Sequence, residues 1–427
     1  MRKYLKTRMT SDQAADTGQV EKVARDILND IRTKGDAAVR EYSHKLDNWN
    51  PQDFKVTADE IQGAVKNMSK IFKEDFAFAK KQVVEFAKMQ RDSMHEFERE
   101  TEPGILLGQK LIPIEVVGAY VPAGKYPMIS AAIMSISTAK TAGVDRVIAC
   151  APPLAGKGIY PPQLFALHMA GADEIFALGG VQALGAMAFG CVGMKKVDMI
   201  AGPGNAYVAE AKRQLFGEVG VDLLAGPTEI AVIADESADP KLVATDLLGQ
   251  AEHGPTSPAW LFTTSERIGR EVIKEIHEQL KTLPTADVAA VAWERNGEVI
   301  VVDSDDEAIE VSDEYAPEHL EVMTSRDDYY LKNLKNYGSL FVGEESTVAY
   351  GDKGVGTNHT LPTNKAARYT GGLWAGKFIK TVTYQRLSAA ASLRIAPIMG
   401  RICEIEGMLA HKITTDVRVT RYHNSQA

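Results

Sequence analysis

The chain has 427 residues, 45% of them hydrophobic and 25% charged, which is enough apolar material for two domains with their own cores and too much for a disordered protein. A net charge of −9 without a long basic run argues against nucleic acid as a partner, and no stretch of roughly 18 apolar residues predicts a membrane span. Three widely spaced cysteines, Cys150, Cys191 and Cys403, are typical of a reducing compartment, so we expect a soluble cytoplasmic protein that binds a small molecule.

The first part of the chain is predicted to be a helical lead-in. Apolar residues recur at helical spacing among many charged ones in three segments, Glu21–Leu46, Ala58–Met68 and Ile71–Met94. We expect amphipathic helices there.

Short apolar runs then alternate with helical segments. The first series of predicted strands is Ile114–Val121, Arg146–Cys150, Glu174–Leu178, Val197–Ile200 and Ile230–Ala234. The helices between them are Ile129–Ala142, Pro162–Ala170, Val181–Phe189 and Asn205–Leu215. Alternation of this kind predicts a parallel α/β sheet with helices on its faces.

A second α/β series follows. Its predicted strands are Trp260–Thr263, Glu298–Val302, Leu320–Met323 and Leu340–Val342, with a charged helix over Ser265–Leu283. From about Trp374 the pattern is helical again, and we expect a C-terminal helical tail.

Glycine-containing turns stand where predicted strands end. They are Tyr120–Gly124, Gly179–Gln182 and Gly202–Asn205, the last opening a helix. Backbone amides at a helix start can hold a phosphate, but the Gly-x-Gly-x-x-Gly pattern is missing from these turns. From the pattern alone, a nucleotide site and ordinary tight strand-to-helix turns both remain open.

Gln250 and His253 share one face at the end of a predicted helix. An imidazole nitrogen and an amide oxygen suit zinc, although such a pair is also common as a cap or a surface arrangement. Glu318-His319 and His411 stand in later segments with no evident structural reason. Together these residues read as metal ligands with an acid/base pair.

The ordered set of motifs resembles the histidinol dehydrogenase family over nearly the whole chain. The matching motifs are Val117–Pro122, Gly179–Ala183, Gly202–Ala206, Ala225–Glu229, Gln250–His253, Ala316–Leu320, Gly351-Asp352, Gly356–His359, Glu406 and His411. The resemblance implies two incomplete Rossmann-like domains in an intertwined homodimer with shared active sites. It divides the chain into an arm over residues 1–16, a first domain over 17–122 and 230–373, an NAD-binding domain over 123–229 and a tail over 374–427 that reaches the partner subunit.

Roles follow from the resemblance, position by position. It implies that Gln250, His253, Asp352 and His411 bind one zinc ion per subunit, that Tyr120, Gln182 and Asn205 contact NAD, and that Glu318 and His319 are the catalytic acid/base pair. Its substrate contacts correspond to Thr228, Gln250, His253, His319, Asp352, Glu406 and His411. The family's reaction is a four-electron oxidation of an alcohol through an aldehyde to a carboxylate, with two NAD used in turn. In that scheme His319 takes the alcohol proton and Glu318 activates water.

Departures from the usual family pattern concern the substrate. Thr228 replaces a usual serine, and the segment Arg368–Phe378 carries Lys377 where an acid is usual. These features resemble the sulfopropanediol 3-dehydrogenase branch, which oxidises 2,3-dihydroxypropane-1-sulfonate to sulfolactate.

A sulfonate requires cationic or amide donors. Four basic residues are candidates, although each also fits a solvated surface charge: Lys125, Lys365, Arg368 and Lys377. Glu406 opposes this reading because a carboxylate repels an anion. L-histidinol is the alternative substrate, another polar primary alcohol is a third, and a non-catalytic metabolite-binding relative is a further hypothesis.

Overall fold

The structure is a computed structural model that describes residues 2–9, 17–123, 126–154 and 156–424. The chain forms two compact units, one of residues 1–91 and 114–378 and the other of residues 92–113 and 379–427. Of the predicted N-terminal arm, residues 10–16 lie outside the described residues. No helix in the described part of the chain is both long and apolar enough to cross a membrane.

The strands of the described residues form three sheets. In chain order they are β1 (Lys3–Lys6), β2 (Phe97–Glu102), β3 (Ile105–Pro113), β4 (Val116–Tyr120), β5 (Arg146–Ala151), β6 (Glu174–Ala177), β7 (Met199–Ala201), β8 (Gly220–Val221), β9 (Ile230–Ala234), β10 (Ala259–Thr263), β11 (Gly297–Val301), β12 (His319–Met323), β13 (Ser339–Val342) and β14 (Ile379–Leu387). The predicted α/β class with parallel sheets is confirmed.

The helices follow the predicted alternation. They are α1 (Thr17–Lys34), α2 (Asp36–Asp47), α3 (Ala58–Asn67), α4 (Lys70–Asp92), α5 (Ile129–Ala132), α6 (Thr138–Ala142), α7 (Pro161–Ala170), α8 (Gly180–Phe189), α9 (Ala206–Leu215), α10 (Pro240–Ala251), α11 (Glu266–Gln279), α12 (Ala286–Asn296), α13 (Asp305–Tyr315), α14 (Asp327–Asn333), α15 (Val348–Lys353), α16 (Ala389–Ile405) and α17 (Leu409–Asn424). A π-helical turn, Ile133–Ser137, joins α5 to α6.

The first unit contains two sheets with the same connectivity. The five-stranded sheet has the order β6-β5-β4-β7-β8, and the six-stranded sheet has the order β11-β10-β9-β12-β13 with β1 added at the β11 edge. All pairs are parallel except β1 with β11. In both sheets the first strand of the series lies in the middle and the chain reverses its direction of winding beside it. This is the arrangement of a doubly wound sheet, with its switch point between β4 and β7 or between β9 and β12.

Burial explains why these strands were predictable. Strands β4, β9 and β10 are buried along their whole length, as expected for parallel strands covered by helices on both faces. The predicted helix Glu21–Leu46 is in fact two helices, because Gly35 between them has a positive φ of 58°.

The predicted division at residue 122 does not follow the sheets. Strand β4 is the middle strand of the five-stranded sheet, and helices α1 and α2 pack into the core of that sheet through Ala24, Ile31 and Val39. These segments therefore pack with residues 146–221 rather than with residues 230–342. A sequence pattern identifies an element but not the sheet that it joins.

The prediction of a helical C-terminal tail is wrong in part, because the second unit also contains strands. Strand β14 pairs with β3, which pairs with β2, in an antiparallel sheet, followed by α16 and α17. These strands were missed because β2 is exposed throughout and β14 alternates intermediate with exposed residues, so neither reads as an apolar run.

Candidate active site

One cleft in the first unit brings together most of the predicted site residues. It has a volume of about 490 Å³ and is lined by residues from two sets of turns. Pro122 follows β4 and Asn205 follows β7, so they stand at the carboxyl ends beside the switch point of the five-stranded sheet. Thr228 and Glu318 immediately precede the six-stranded sheet, and His319 is the first residue of β12.

Glu318 is held by two donors through one carboxylate oxygen. Thr228 Oγ1 donates to Glu318 Oε2 at 2.6 Å, and the backbone N–H of Glu229 donates to the same oxygen at 2.9 Å. The side chain of Gln250 donates in turn to Thr228 Oγ1. Thr228 thus connects a predicted catalytic carboxylate to a predicted metal ligand.

Backbone contacts define the orientation of His319. Its Nδ1 lies 2.9 Å from the carbonyl oxygen of Glu229, and because a carbonyl only accepts, Nδ1 must carry a proton. Nε2 is buried without a hydrogen-bond partner in the described residues, and it stands 3.7 Å from Asp352 Oδ1, beyond hydrogen-bond range. In the neutral ring, the basic lone pair is therefore on Nε2.

The three charged groups shift one another's pKa values. Burial alone would lower the pKa of His319, but the carboxylates of Glu318 and Asp352 outweigh it and raise the pKa to about 9. Burial raises the pKa of Glu318, opposed by His319 and by the donor Thr228. Burial also acts to raise the pKa of Asp352, but the neighbouring His319 and His359 dominate and lower it to about 2. Ionised Asp352 is therefore the stable anionic group of the cleft.

Three predicted metal ligands line this cleft, namely Gln250, His253 and Asp352. No group of three or more His, Cys, Asp or Glu side chains that could hold a metal ion occurs in the described residues. Gln250 uses its amide nitrogen toward Thr228, which leaves the amide oxygen as its metal-binding atom. His253 is exposed at the cleft edge, yet desolvation by its surroundings lowers its pKa and favours the neutral form that binds metal. The set of one nitrogen and two oxygen donors fits zinc with a position left for a further ligand.

His411 and Glu406 belong to the second unit. His411 lies near the start of α17, and Glu406 caps the C-terminus of α16. Both side chains are exposed. The structure therefore leaves their predicted roles as predictions.

The predicted NAD contacts divide into one residue at the cleft and two behind it. Asn205 lines the cleft, and its side chain accepts hydrogen bonds from the N–H groups of Tyr207 and Val208 at the start of α9. Tyr120 and Gln182 are buried. The hydroxyl of Tyr120 accepts from Gly180 N at 3.1 Å, and Gln182 donates to Asp47 at 2.8 Å.

The turn before Asn205 requires glycine. Gly202 has a φ of 118°, and a Cβ at this position would lie 2.0 Å from the carbonyl oxygen of Tyr120. The close approach places the turn, and with it the N-terminus of α9, directly beside the end of β4. A helix N-terminus in this position is suited to a phosphate group.

Three candidate sulfonate-binding residues do not line the cleft. Lys365 Nζ lies 5.8 Å from the ring centre of Tyr315, and Arg368 donates to the carbonyl of Lys365. Lys377 donates to Thr370 at 3.2 Å and lines a different cavity with Arg213. Lys125 is outside the described residues.

Two residues of the cleft region had no assigned role in the sequence analysis. His359 lines the cleft, and its Nε2 is buried without a hydrogen-bond partner in the described residues. Glu229 orients His319 through its carbonyl, and desolvation raises the pKa of its own carboxyl group to about 7. The Gly356–His359 motif could have indicated His359. The role of Glu229 could not be predicted from its residue type, because any residue has the backbone carbonyl that makes this contact.

Comparison with known proteins agrees with this geometry. A family model described as histidinol dehydrogenase matches residues 10–419. The chain belongs to the histidinol dehydrogenase family. Its crystallised relative from Elizabethkingia anophelis, a histidinol dehydrogenase, superposes with a TM-score of 0.90 at 34% identity, covering 97% of this chain and 95% of that one.

Two curated relatives bear on the place of this chain within the histidinol dehydrogenase family. A histidinol dehydrogenase homolog of Shouchella clausii is 53% identical over 99% of this chain and 100% of its own length. A sulfopropanediol 3-dehydrogenase of Ruegeria pomeroyi is 44% identical over 98% of this chain and 96% of its own length. The chain is thus an oxidoreductase of the histidinol dehydrogenase family.

Proposed function

We propose that this chain is a zinc- and NAD-dependent dehydrogenase that oxidises a primary alcohol through an aldehyde to a carboxylate, with 2,3-dihydroxypropane-1-sulfonate as its substrate. The observation that carries the chemistry is the continuous network Gln250–Thr228–Glu318 beside His319. It supports the proposal because Gln250, Thr228, Glu318 and His319 all line one cleft.

His319 is the base for the alcohol. Because the neighbouring carboxylates of Glu318 and Asp352 raise its pKa to about 9, the neutral form that can accept a proton increases as the pH rises towards that value. Its Nδ1–H is fixed by the carbonyl of Glu229, so Nε2 is the atom that can take a proton from a substrate hydroxyl as hydride leaves for NAD. The adjacent Asp352 carboxylate stabilises the resulting imidazolium.

Glu318 activates water for the second half of the reaction. Both of its donors engage Oε2, which leaves Oε1 for a water molecule. Burial raises its pKa towards the operating pH, where a general base is most effective. The aldehyde hydrate that forms then loses its own hydroxyl proton to His319 in the second hydride transfer.

Gln250, His253 and Asp352 would hold zinc, with His411 as a further ligand. Zinc, when bound, would polarise the substrate oxygen and offset the charge of Asp352. The chain's own contribution is to orient the ligands: Thr228 directs the amide of Gln250, and desolvation by the surrounding residues lowers the pKa of His253 and favours its neutral ring.

NAD would lie across the carboxyl edge of the five-stranded sheet. The turn Gly202–Asn205 and the amides that open α9 support this placement. Tyr120 and Gln182 would act from behind the turn Gly179-Gly180, because both are buried and Tyr120 binds that turn through its hydroxyl.

A homodimer with shared sites is part of the proposal. Helices α16 and α17 of the second unit leave a series of large apolar side chains exposed, up to 86% for Ile405. They are Ile398, Met399, Ile402, Ile405, Met408, Leu409, Ile413 and Val417. A row of this kind is typical of a surface that a second copy covers, and His411 lies within it.

The choice of substrate is supported by similarity alone. The sulfopropanediol 3-dehydrogenase is 44% identical to this chain, against 39% and 40% for the histidinol dehydrogenases of Methanothermobacter thermautotrophicus and Methanosarcina barkeri. Among the described residues no lysine or arginine lines the cleft. Neutral donors such as Tyr126, Thr256 and Ser257, together with the bound metal, would therefore contact the sulfonate.

The test is NADH formation by the zinc-loaded protein with 2,3-dihydroxypropane-1-sulfonate and L-histidinol measured side by side. Two NADH per sulfonate molecule and none from histidinol is the expected result. The reverse result makes the chain a histidinol dehydrogenase, and inactivity with both removes the proposed substrate. Zinc content and NAD binding, measured on the same preparation, test the cofactors separately.

A further inference from the structure

A pair of carboxylic side chains, one buried and one half-buried, lies behind the candidate site. Glu321 on β12 is 0% exposed, and its Oε1 accepts a hydrogen bond from Val348 N at 3.0 Å. Its Oε2 is buried without a hydrogen-bond partner among the described residues, and the carboxyl group of Asp246 on α10 lies near enough for its charge to act on Glu321. Asp246 Oδ1 accepts from Thr347 Oγ1 at 3.1 Å. The pair thus joins β12, α10 and the first residues of α15.

Each of these elements carries one residue of the site. Asp246 and Gln250 are four residues apart on α10, and Val348 and Asp352 are four apart on α15, so each pair shares a helix face. Glu321 and His319 are two apart on β12 and share a face of the strand. The cluster therefore lies one helical turn from Gln250 on α10 and from Asp352 on α15. On β12 it lies two residues from His319.

Two ionised carboxylates cannot hydrogen-bond each other. A hydrogen bond between the carboxyl groups of Glu321 and Asp246 therefore requires a proton on one of them. Burial, reinforced by the charge of Asp246, raises the pKa of Glu321 well above its ordinary value, and burial also raises the pKa of Asp246. His319 acts in the opposite direction on Glu321 but is the smaller influence. Val348 N–H and the hydroxyl of Thr347 are the remaining polar groups that face the pair.

We propose that Asp246 and Glu321, with one proton between them, are positioning residues that hold α10, α15 and β12 in register so that Gln250, Asp352 and His319 meet in the cleft. The proposal depends on the proposed function only in taking Gln250 and Asp352 as zinc ligands.

Four variants distinguish the effect of the shared proton from the effect of the carboxyl group and from a general loss of stability. Glu321→Gln supplies the proton permanently, because an amide can accept from Val348 N and donate to Asp246. Glu321→Leu removes both bonds, and Thr347→Val removes only the link from α15 to Asp246. Glu298→Leu is the control: Glu298 is buried on β11, accepts from Tyr315 at 3.0 Å, and is separated from β12 by β10 and β9.

The first measurement is thermal unfolding of the metal-free protein against pH. A carboxyl group whose folded pKa is raised contributes its full stability below the ordinary carboxyl pKa and loses it as the pH rises through the folded value. The Tm advantage of Glu321→Gln over the unsubstituted chain should therefore grow as the pH rises above about 5, where an ordinary carboxyl group is ionised. A parallel pH dependence of the two proteins would overturn the shared proton.

The second measurement is zinc affinity by competition with a chelator. Glu321→Leu and Thr347→Val should weaken zinc binding by about 10- to 100-fold, the usual effect of losing a residue behind the ligands. Glu321→Gln should stay within about twofold, and Glu298→Leu should lower Tm without changing zinc affinity. Unchanged affinity in Thr347→Val and Glu321→Leu would refute the positioning role, and a loss equal in Glu298→Leu would do the same.

Failure of the proposed function gives a different result. If the unsubstituted chain binds no zinc, the metal role of Gln250 and Asp352 fails, while the pH comparison in metal-free protein still decides whether the proton is shared. If zinc binds and the variants behave as expected but neither alcohol is oxidised, the positioning pair stands and the substrate is wrong.

Discussion

Replacing Thr228 by valine should impair aldehyde oxidation more than alcohol oxidation. Valine keeps the shape of threonine but removes the hydroxyl that donates to Glu318 at 2.6 Å and accepts from Gln250. Glu318 then keeps only the Glu229 N–H as a donor among the described residues. A hydrogen bond to a charged group contributes about 1.5–3 kcal/mol, which corresponds to about 10- to 100-fold in rate.

The effect of Thr228→Val should also depend on pH, in a direction set by the pKa of Glu318. The Thr228 hydroxyl lowers the pKa of Glu318 by stabilising its carboxylate, so its removal raises that pKa and reduces the ionised fraction at neutral pH. The acid limb of aldehyde oxidation should move to higher pH, and the loss should shrink as the pH rises.

The assay is NADH formation from the aldehyde and from the alcohol across the pH range, at saturating zinc, because Gln250 also loses its acceptor. Thr228→Ser is the matched control, since it retains the hydroxyl and should remain near full activity. An equal loss in both half-reactions with an unshifted pH profile in Thr228→Val would refute the assigned role of Glu318.

Three further predictions concern the base, the nucleotide turn and the dimer. His319→Asn should abolish proton transfer while zinc, measured by metal analysis, remains bound, because His319 is not a metal ligand in the proposed set; loss of zinc would contradict this. Gly202→Ala should raise the KM for NAD by at least about tenfold without changing zinc affinity, since its Cβ would meet Tyr120 O at 2.0 Å and φ is 118°; unchanged NAD kinetics would refute the placement. Equal amounts of inactive His319→Asn and His411→Ala chains, refolded together, should recover about a quarter of the normal activity if His411 acts in the partner's site, and none if it acts within its own chain.

The sequence predicted the first unit better than the second for a physical reason. Parallel strands covered by helices on both faces read as short apolar runs between turns, as in β4 and β9. The antiparallel strand β2 has the sequence Phe97–Glu102 with four charged residues and full exposure, so nothing in its composition separates it from a loop. The pairing of β14 with β3 joins segments that are far apart in sequence, so it was not recoverable from local pattern.

The features of the candidate site also differ in how far the sequence could predict them. Glu318-His319 and Gln250–His253 were recognised because the chemistry depends on their side chains. The orientation of His319 depends on the carbonyl of Glu229, and the Asp246–Glu321 pair depends on which helix packs on which strand. Neither property is encoded in a local motif, because both arise only when separate elements pack together.

The position of the cleft explains why the site needs residues from so many segments. The five-stranded sheet presents its carboxyl edge, where doubly wound sheets commonly bind ligands, and contributes Pro122 and Asn205. The six-stranded sheet presents its amino edge instead, so its contribution comes from residues that enter strands, Thr228 and Glu318, and from the far end of the returning helix α10, which carries Gln250. These residues lie just before a strand or at the end of a helix. Their relative positions therefore depend on the tertiary contacts between those elements. The Asp246–Glu321 pair is such a contact, and a zinc site assembled at an amino edge should therefore be more sensitive to that pair than a nucleotide turn closed by Gly202.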